Sequence, residues 1–481
     1  MLITPRRRIL LDSDTGAAAA PHPARLSTRA KRPDASLEAL PGECGRLVTR
    51  ASIDGHQVLS IRSSHSFHIG RSPDCDFTIA HPAVSSKHCR LYALTVDTGE
   101  VLVCLEDTST NGTLYNQRRV SRATTILSDG DTIEIGNHVF RYEHLAAIPP
   151  LMLSAGPEGA AERPWPVGDF LVLPRTLGSG AFSRVHLAFS TKSSRQFACK
   201  RMRRRRMQRD DLAGVKREVE MLMSASHPNI NRVEAVEVDE HNVFLELVPG
   251  GDLFSYLIKH GRIDAPEVKW IMYQILLGLR HLHDDINIAH RDIKLENIVL
   301  ACAGPFPRVQ LTDFGQARLA DENFRSLQGT LQYMAPEQLL ATSRHTGYSG
   351  KPADIWSSGI VFAYLLTGGH PFEPWEESTV GADAREGALA STAEMALLGE
   401  TACTEIKHSP KDGPICRAVI RGALTLPAMK FGQEDRLVRK LLCGMLAHQP
   451  ERRYTAASAL SSEWMLSSKA ELLELYRRTV A

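Results

Sequence analysis

The sequence lacks the features that mark secreted and membrane proteins. Its nine cysteines include no Cys-x-x-Cys pair, so neither a disulfide framework nor a zinc ribbon is indicated, and a reducing compartment is expected. Its longest strongly apolar stretch, residues 355–366, is too short to span a membrane, and the N-terminus has no signal-peptide hydrophobic region. These absences predict a cytosolic or nuclear protein with no membrane partner.

The chain also has almost no net charge. Its 57 basic and 55 acidic residues leave a formal charge of +2, which gives no general attraction to nucleic acid or membranes, so any anion binding must be local. The basic run Arg203–Arg206 has no interleaved aromatic residues. A solvated face or a nuclear import signal is therefore favoured over direct nucleic-acid binding.

Composition and hydrophobic pattern divide the 481 residues into several parts. Residues 1–45 mix Arg, Ala, Pro and Ser without periodicity and are predicted to form a disordered basic arm. Residues 46–145 contain short alternating runs separated by turn residues, which predicts an all-β sandwich. Residues 146–168 are a predicted linker. In residues 169–466 strands precede helices, which predicts a bilobal α+β domain, and residues 467–481 form a C-terminal tail.

The strand-rich part of the α+β domain contains candidate phosphate-binding residues. Gly178 and Gly180 form a Gly-x-Gly run in which backbone amides can approach phosphate oxygens, although such runs also occur in ordinary turns. Lys200 lies inside an apolar strand pattern, where an unpaired ammonium group would be costly to bury. Glu218, on an amphipathic helix, is a suitable partner for it. Each residue taken alone is equally consistent with a solvated surface.

Residues 290–297, His-Arg-Asp-Ile-Lys-Leu-Glu-Asn, carry the strongest chemical signal. Phosphoryl transfer needs a carboxylate to orient the attacking hydroxyl, cations on the phosphates and a metal ligand. Asp292, Lys294 and Asn297 supply all three in one segment. Asp313, in an Asp-Phe-Gly triplet, offers a second carboxylate for Mg²⁺, and Ala335-Pro336-Glu337 follows. This order of motifs predicts a site for ATP and Mg²⁺.

With these motifs in this order, residues 169–466 resemble a eukaryotic protein kinase. The resemblance implies that Lys200 and Glu218 form an activating ion pair, that Asp292 is the catalytic base, and that Asn297 and Asp313 hold Mg²⁺. Lys294, two residues after the base, matches serine/threonine kinases rather than tyrosine kinases. The nucleotide-binding positions implied by the resemblance are Gly178, Gly180, Val185, Ala198, Lys200, Leu245, Glu246, Leu247 and Val299.

The same resemblance implies several supporting contacts. Thr330 is expected to bond to Lys294 and Asp292, and Arg453 to pair with Glu337. A stack of His290, Phe314 and Leu222 is expected to be anchored by Asp354. Gln449 departs from the aspartate that usually opens its motif, which predicts a weaker contact in the large lobe.

Two further roles follow from the kinase resemblance. Asp252 and Glu296 match acidic positions that receive an arginine three residues before the target hydroxyl. Ser326 lies in the activation segment, where phosphate could pair with Arg291 and order the loop. These residues predict an Arg-directed serine/threonine kinase that is activated by phosphorylation.

The predicted turns of the sandwich carry residues suited to a phosphate dianion, namely Arg71, Ser85, Thr110 and Asn111. Each alone is an unremarkable surface residue, and Asn-Gly is a good hairpin turn. Together they resemble the forkhead-associated (FHA) domain, which implies that these four residues contact phosphothreonine and its flanking backbone while His88 braces the loop. Ala83 stands where some relatives have an arginine that selects an acidic residue, so that selectivity is not predicted.

One FHA domain ahead of a kinase of the calmodulin-dependent class resembles the checkpoint kinase family, including DNA-damage and meiosis-specific fungal members. The chain has no Ser-Gln or Thr-Gln dipeptide, which several relatives use for priming, so docking on another protein's phosphothreonine is favoured. The expected partners are phosphothreonine proteins, Ser/Thr substrates and a clustered or phosphorylation-dependent second copy. The expected location is the nucleus, with the cytoplasm as a further site.

The sequence leaves two questions open, namely the form of one long segment and whether the kinase domain is active. Residues 373–417 are longer than the kinase pattern requires and are interpreted as a surface insert, with a short helix near residues 394–398. The rival function is a phosphothreonine-binding scaffold with an inert kinase domain. The intact Lys200, Asp292 and Asp313 argue against that rival.

Overall fold

The computed structural model describes residues 40–51, 55–95, 101–145, 164–179, 183–192, 195–202, 223, 225–237, 242–261, 263–302, 304–320, 323–324, 329–344, 347–373, 412–424 and 434–480. Several predictions lie outside these residues: the arm before Leu40, residues 146–163 of the linker, most of the insert, Arg203–Arg206, Gly180, Glu218, Leu222 and Ser326. The chain forms two compact units, Met1–Arg205 with Val233–Leu247 and Arg206–Arg232 with Val248–Ala481. Within the described residues, no helix has both the length and the apolar character that crossing a membrane requires.

The first unit begins with the predicted β-sandwich. Its strands are β1 (Glu43–Ala51), β2 (Gly55–Arg62), β3 (Phe67–Gly70), β4 (Phe77–Thr78), β5 (Cys89–Thr95), β6 (Val101–Asp107), β7 (Thr113–Tyr115), β8 (Arg118–Val120), β9 (Thr124–Ile126), β10 (Thr132–Ile135) and β11 (His138–His144). They form sheets in the orders β2-β1-β11-β10-β7-β8 and β4-β3-β5-β6-β9. Alternate residues such as Ile133 and Ile135 point into a shared core with Leu91 and Phe140. The all-β prediction is confirmed.

The same unit contains the strands of the kinase-like small lobe, β12 (Trp165–Val167), β13 (Phe170–Ser179), β14 (Ser183–Ser190), β15 (Gln196–Met202), β16 (Val233–Glu237) and β17 (Asn242–Glu246). They form one antiparallel sheet in the order β12-β13-β14-β15-β17-β16. Phe170 stacks on Phe244 with ring centroids 3.8 Å apart and meets Phe197 edge to face. This aromatic cluster is the centre of the lobe's core.

The second unit is helical. Its helices are α1 (Leu253–His260), α2 (Ala265–Arg280), α3 (Pro336–Arg344), α4 (Gly350–Thr367), α5 (Asp412–Arg421), α6 (Asp435–Met445), α7 (Ala456–Leu460), α8 (Glu463–Leu466) and α9 (Lys469–Val480). A five-residue π turn (His281–Asp285) and single 3-10 turns (Leu295–Asn297, Phe314–Gln316, Leu331–Tyr333, Pro450–Arg452) lie between them. Short strands β18 (Ile288–Ala289) and β21 (Arg318–Leu319) pair, as do β19 (Ile298–Leu300) and β20 (Val309–Leu311).

Helix α4 is the centre of this unit. Trp356 and Ile360 are buried in the core that surrounds it, and most of its residues are buried. The helix ends at Gly368, whose φ of 77° is a left-handed conformation that favours glycine. A helix that is apolar on all sides is stable only when it is enclosed by other elements. Helix α4 is therefore the buried helix of this unit. The strands of the small lobe and the helices of this unit confirm the α+β prediction.

Two segments differ from their predicted form. Residues 467–481 were predicted to be a tail, but most of them form helix α9, because Leu472 and Tyr476 lie on one helical face and pack on the core. Tyr476 donates its hydroxyl proton to Asn229 Oδ1 at 2.8 Å. The last residues of the predicted insert, from Asp412 onward, are the first turns of helix α5.

Candidate functional sites

Asp354, near the N-terminal end of helix α4, anchors the segment that precedes Asp292. Its carboxylate accepts the backbone N–H of His290 at 2.8 Å and of Arg291 at 2.7 Å, and lies 2.9 Å from His283 Nε2. Asp354 is 1% exposed, so the charge would be costly to bury without these donors. The bonds hold Arg291 at φ 67°, a left-handed conformation that non-glycine residues rarely adopt. The expected anchoring contact is present.

The Asp292 carboxylate is held by three neighbouring side chains. Lys294 Nζ donates to Asp292 Oδ2 at 2.9 Å and to Thr330 Oγ1 at 2.9 Å. Asn297 Nδ2 donates to the backbone oxygen of Asp292 at 2.8 Å and to Oδ2 at 2.9 Å. Thr330 Oγ1 lies 3.4 Å from Oδ1. The predicted Thr330 contacts are therefore present, and Oδ2 carries the stronger bonds, which leaves Oδ1 the less constrained oxygen.

Hairpin β19–β20 brings Asn297 and Asp313 to the same end of two paired strands. Ile298 pairs with Leu311, and the backbone N–H of Thr312 donates to the Asn297 carbonyl at 2.9 Å. Because the Asn297 amide nitrogen is bonded to Asp292, its amide oxygen is the atom available as a ligand. An amide oxygen and a carboxylate are the ligand types that Mg²⁺ prefers. The residues therefore fit the predicted metal.

His290 joins the base segment to the Asp-Phe-Gly segment. Burial lowers the pKa of its imidazole, so the ring is neutral, with Nε2 donating to the Thr312 carbonyl at 3.0 Å and Nδ1 accepting the Asp292 N–H at 3.3 Å. The ring also packs on Phe314, with centroids 4.9 Å apart. Asp313 itself has φ 60° and accepts the Gly315 N–H at 3.2 Å. A charged imidazole would lose one of these bonds.

Six of the predicted nucleotide-binding residues lie on neighbouring strands of the small lobe. Gly178 pairs with Val185, and Val185 pairs with Lys200, so these three residues form a row across β13, β14 and β15. In the adjacent strand pair, Ala198 lies opposite Leu245 and Phe197 opposite Glu246. Strand register therefore gathers residues that are up to about seventy positions apart in sequence. Val299 lies in the second unit, in strand β19.

The four predicted phosphate-binding residues of the sandwich meet at neighbouring loops. Arg71 Nε donates to the Val84 carbonyl at 3.2 Å, directly beside Ser85. Ser85 Oγ accepts the Thr110 N–H at 3.1 Å, and Asn111 Nδ2 donates to the Ala83 carbonyl at 2.9 Å. These bonds hold an arginine, a serine hydroxyl and an exposed turn together, an arrangement suited to a phosphate group.

Buried residues below these loops fix their shape. His88 Nδ1 accepts the Ser85 N–H at 3.2 Å, and burial lowers the pKa of the ring, so the expected bracing contact is present. Asp107, which lies in none of the sequence motifs, accepts the hydroxyl protons of Ser109 at 2.9 Å and Thr113 at 2.6 Å, together with the Arg122 N–H. The sequence pattern that could have identified Asp107 is an aspartate that ends an apolar strand and is followed by several residues with hydroxyl groups.

Comparison with known proteins decides the family. The protein kinase domain matches residues 171–465, and the FHA domain matches residues 67–136. The chain belongs to the protein kinase family. The kinase carries its FHA domain on the N-terminal side of the catalytic domain, as the motifs predicted.

The kinase is similar over most of its length to named fungal proteins. The meiosis-specific serine/threonine-protein kinase mek1 of Schizosaccharomyces pombe is 29% identical over 459 residues, covering 90% of this chain and 89% of that protein. The serine/threonine-protein kinase cds1 of the same organism is 32% identical over 349 residues, covering 68% and 74%. RAD53 of Saccharomyces cerevisiae is 30% identical over 466 residues, covering 87% and 51%. This chain is therefore a serine/threonine kinase, and such kinases use ATP and a divalent metal.

The large lobe of the kinase contains the predicted ion pair between Arg453 and Glu337. The Arg453 guanidinium forms a two-pronged contact, with NH1 to Oε1 at 2.6 Å and NH2 to Oε2 at 3.0 Å. It also donates to the carbonyls of Pro352 and Ala447. Gln449 makes no side-chain capping bond to the 3-10 turn that follows it. That cap is the contact an aspartate would be suited to make.

The two predicted substrate-binding carboxylates of the kinase differ in their surroundings. Asp252 caps helix α1, because its carboxylate accepts the N–H of Ser255 at 2.7 Å and the Ser255 hydroxyl at 2.9 Å. Glu296 is exposed and lines a pocket with Phe254, Ile258 and Tyr333. Asp252 therefore has a structural role as the cap of helix α1, and its substrate-binding role stays a prediction.

Arg291, the residue before the candidate base, is enclosed by two aromatic rings. Its guanidinium lies 3.9 Å from the Phe324 ring centroid and donates to the Tyr348 hydroxyl at 3.1 Å. Phe324 and Tyr348 exchange two backbone hydrogen bonds, of 3.0 and 2.9 Å. No sequence motif predicts this contact, since Tyr348 is 57 positions after Arg291 in the chain. Ser326 follows Phe324 by two positions.

Proposed function

We propose that the kinase transfers the ATP γ-phosphate with Asp292 as the base that orients the acceptor hydroxyl and Lys294 as the adjacent cation. Asn297 and Asp313 are the proposed Mg²⁺ ligands, and Lys200, held by Glu218, is the proposed phosphate ligand. The observation that supports this proposal most directly is the clamp of Lys294, Asn297 and Thr330 on the Asp292 carboxylate. Positioning and charge stabilisation are the main protein contributions to phosphoryl transfer. Peptide phosphorylation measured across a Mg²⁺ titration tests the proposal.

The proposed partners of the FHA domain are phosphothreonine proteins, bound through Arg71, Ser85, Thr110 and Asn111. The hydrogen bonds that hold these residues at one set of loops support this assignment. We propose that the kinase acts in meiotic or DNA-damage signalling in the nucleus. Its relative mek1 is named as meiosis-specific, which supports the meiotic role. Immunoprecipitation followed by mapping of phosphothreonines on the recovered proteins tests this role. Recovery of the same proteins with a variant that cannot bind phosphothreonine would contradict it.

The kinase is expected to prefer arginine three residues before the target hydroxyl. Asp252→Asn is the informative change, because asparagine keeps the helix cap while it removes the charge. Loss of one charge-assisted contact at a partly exposed site predicts about a tenfold drop in the kcat/KM advantage of an Arg-containing peptide. Glu296→Gln is expected to have a similar effect. Peptide pairs that differ only in that arginine measure it, and an unchanged preference in both variants would refute the assignment.

Phosphorylation of Ser326 is expected to activate the kinase. A phosphate there would lie close in sequence to Phe324, which covers the Arg291 guanidinium, and arginine is the usual partner of phosphate. Ser326→Ala is expected to lower activity several-fold, and mass spectrometry is expected to find phosphate at Ser326 in the wild type. We propose that one copy of the kinase phosphorylates Ser326 of a second copy. An Asp292→Asn protein should therefore acquire this phosphate only when active kinase is added. Wild-type activity in Ser326→Ala, without phosphate at Ser326, would contradict the prediction.

A further inference from the structure

The outer edge of the sandwich is occupied by a side chain of the small lobe. Among the strands that the structure describes, β9 is the last of its sheet, so the backbone groups on its outer side face no further described strand. The Ile126 N–H donates to Gln196 Oε1 at 2.9 Å, and Gln196 Nε2 donates to the Ile126 carbonyl at 2.8 Å. One side-chain amide thus provides the two bonds that a paired strand residue would provide.

Two further groups meet at the same place. Arg175, on strand β13 of the small lobe, directs NH1 towards the Leu127 carbonyl at 3.5 Å. Gln196 also interacts with the buried hydroxyl of Tyr115, which lies on the other sheet of the sandwich and donates to Asp131 at 2.7 Å. Both Ile126 and Leu127 are buried. The contact therefore includes both sheets of the sandwich and two strands of the small lobe.

We propose that the FHA domain docks on the small lobe of its own kinase domain through this surface, with Ile126 and Leu127 bound to Gln196 and Arg175. The edge of strand β9 is thus covered by the small lobe of the same chain. A Pro-rich and Gly-rich linker between the domains predicts independent modules. The paired hydrogen bonds of Gln196 instead fix the FHA domain on the lobe.

The docking surface connects the two candidate sites. On one side, β9 pairs with β6, and β6 ends at Asp107, which shapes the phosphothreonine loop. On the other side, strand β15 begins at Gln196 and carries Lys200 four residues later. A phosphothreonine partner is therefore bound in a fixed orientation relative to the strand that holds Lys200.

Hydrogen exchange of the Ile126 amide in the full chain tests the proposal, because Gln196 is the acceptor of that proton. The amide is expected to be protected in the wild type and to exchange about tenfold faster or more in Gln196→Ala. Gln196→Glu keeps an acceptor but loses the donor to the Ile126 carbonyl, so an intermediate rate is expected. Gln57→Ala, at an exposed glutamine on β2, is the matched control and should leave the Ile126 rate unchanged.

The wild-type measurement alone can overturn the proposal. An Ile126 amide that exchanges in the wild type as fast as an unprotected amide would show that the edge is open to solvent. Equal rates in wild type and Gln196→Ala would show that another group protects it. Amides in the two cores, at Leu91 and Phe244, report whether each variant is folded. Small-angle scattering is expected to show a larger radius of gyration for a folded Gln196→Ala/Arg175→Ala protein, and an unchanged radius would also count against docking.

Discussion

Asp292→Asn is expected to reduce phosphate transfer by about 10²- to 10⁴-fold, the usual contribution of a positioned general base. The amide cannot accept the proton of the substrate hydroxyl. It can keep the surrounding bonds, because its oxygen can accept from Lys294 and Asn297 while its NH₂ group faces the Thr330 hydroxyl. The protein should therefore stay folded. Lys200→Met is expected to reduce transfer as well, because it removes a cation from the proposed phosphate site.

The measurement is ATP-dependent phosphorylation of a peptide, compared with the thermal unfolding temperature of each variant. Asp264→Asn is a matched control, since Asp264 is exposed and its side chain makes no capping bond. Near-normal turnover by folded Asp292→Asn would remove Asp292 from its proposed role. Absence of turnover in the wild type with Mg²⁺ and ATP would instead favour the scaffold alternative.

Arg71→Ala is expected to weaken binding of a phosphothreonine peptide by roughly ten- to a hundredfold, which corresponds to about 1.5–3 kcal/mol for a charge-assisted contact. Arg71 is exposed, and the one bond described for its side chain is to the Val84 carbonyl, so little stability should be lost. Phosphorylation of a free peptide should not change, because Arg71 is not among the docking residues. Phosphorylation of partner-bound substrates should fall, since docking raises their effective concentration.

A peptide titration and a free-peptide kinase assay on the same proteins separate these effects. Arg141→Ala, at an exposed arginine on β11, is the control for loss of surface charge. Arg71→Lys keeps the charge but not the two-pronged geometry, so an intermediate affinity is expected. Unchanged peptide affinity in Arg71→Ala would show that Arg71 is not the phosphate ligand. Equal losses of binding and of basal catalysis would show that the two sites are not separable.

Much of the kinase and FHA architecture could be predicted because its residues occur in ordered motifs. Asp292, Lys294 and Asn297 lie within six residues of one another, so local backbone geometry brings them together. Arg71 and Thr110 are far apart, but each stands at a turn next to recognisable neighbours. In both sites, the spacing of the motif residues along the sequence was enough to predict which residues belong to the site.

The contacts that escaped prediction join residues with no such pattern. Gln196 is an ordinary polar residue at the start of a strand, and only the position of β9 at a sheet edge gives it a role. Tyr348 reaches Arg291 through the tertiary fold. The helical form of residues 469–480 was missed because its few apolar positions, such as Leu472, are a weak signal outside the kinase motifs. All three features depend on packing between residues that are far apart in the sequence.

Helix α9 changes where the catalytic domain ends. The kinase family match stops at residue 465, yet Tyr476 packs its ring against Trp270 and Tyr273 and bonds to Asn229. Lys269 donates to the hydroxyls of Ser467 and Ser468 at the start of the same segment. A fragment cut at the motif boundary would uncover an aromatic surface on helix α2 and leave these donors and acceptors to solvent. A catalytic fragment that keeps these contacts therefore has to include helix α9.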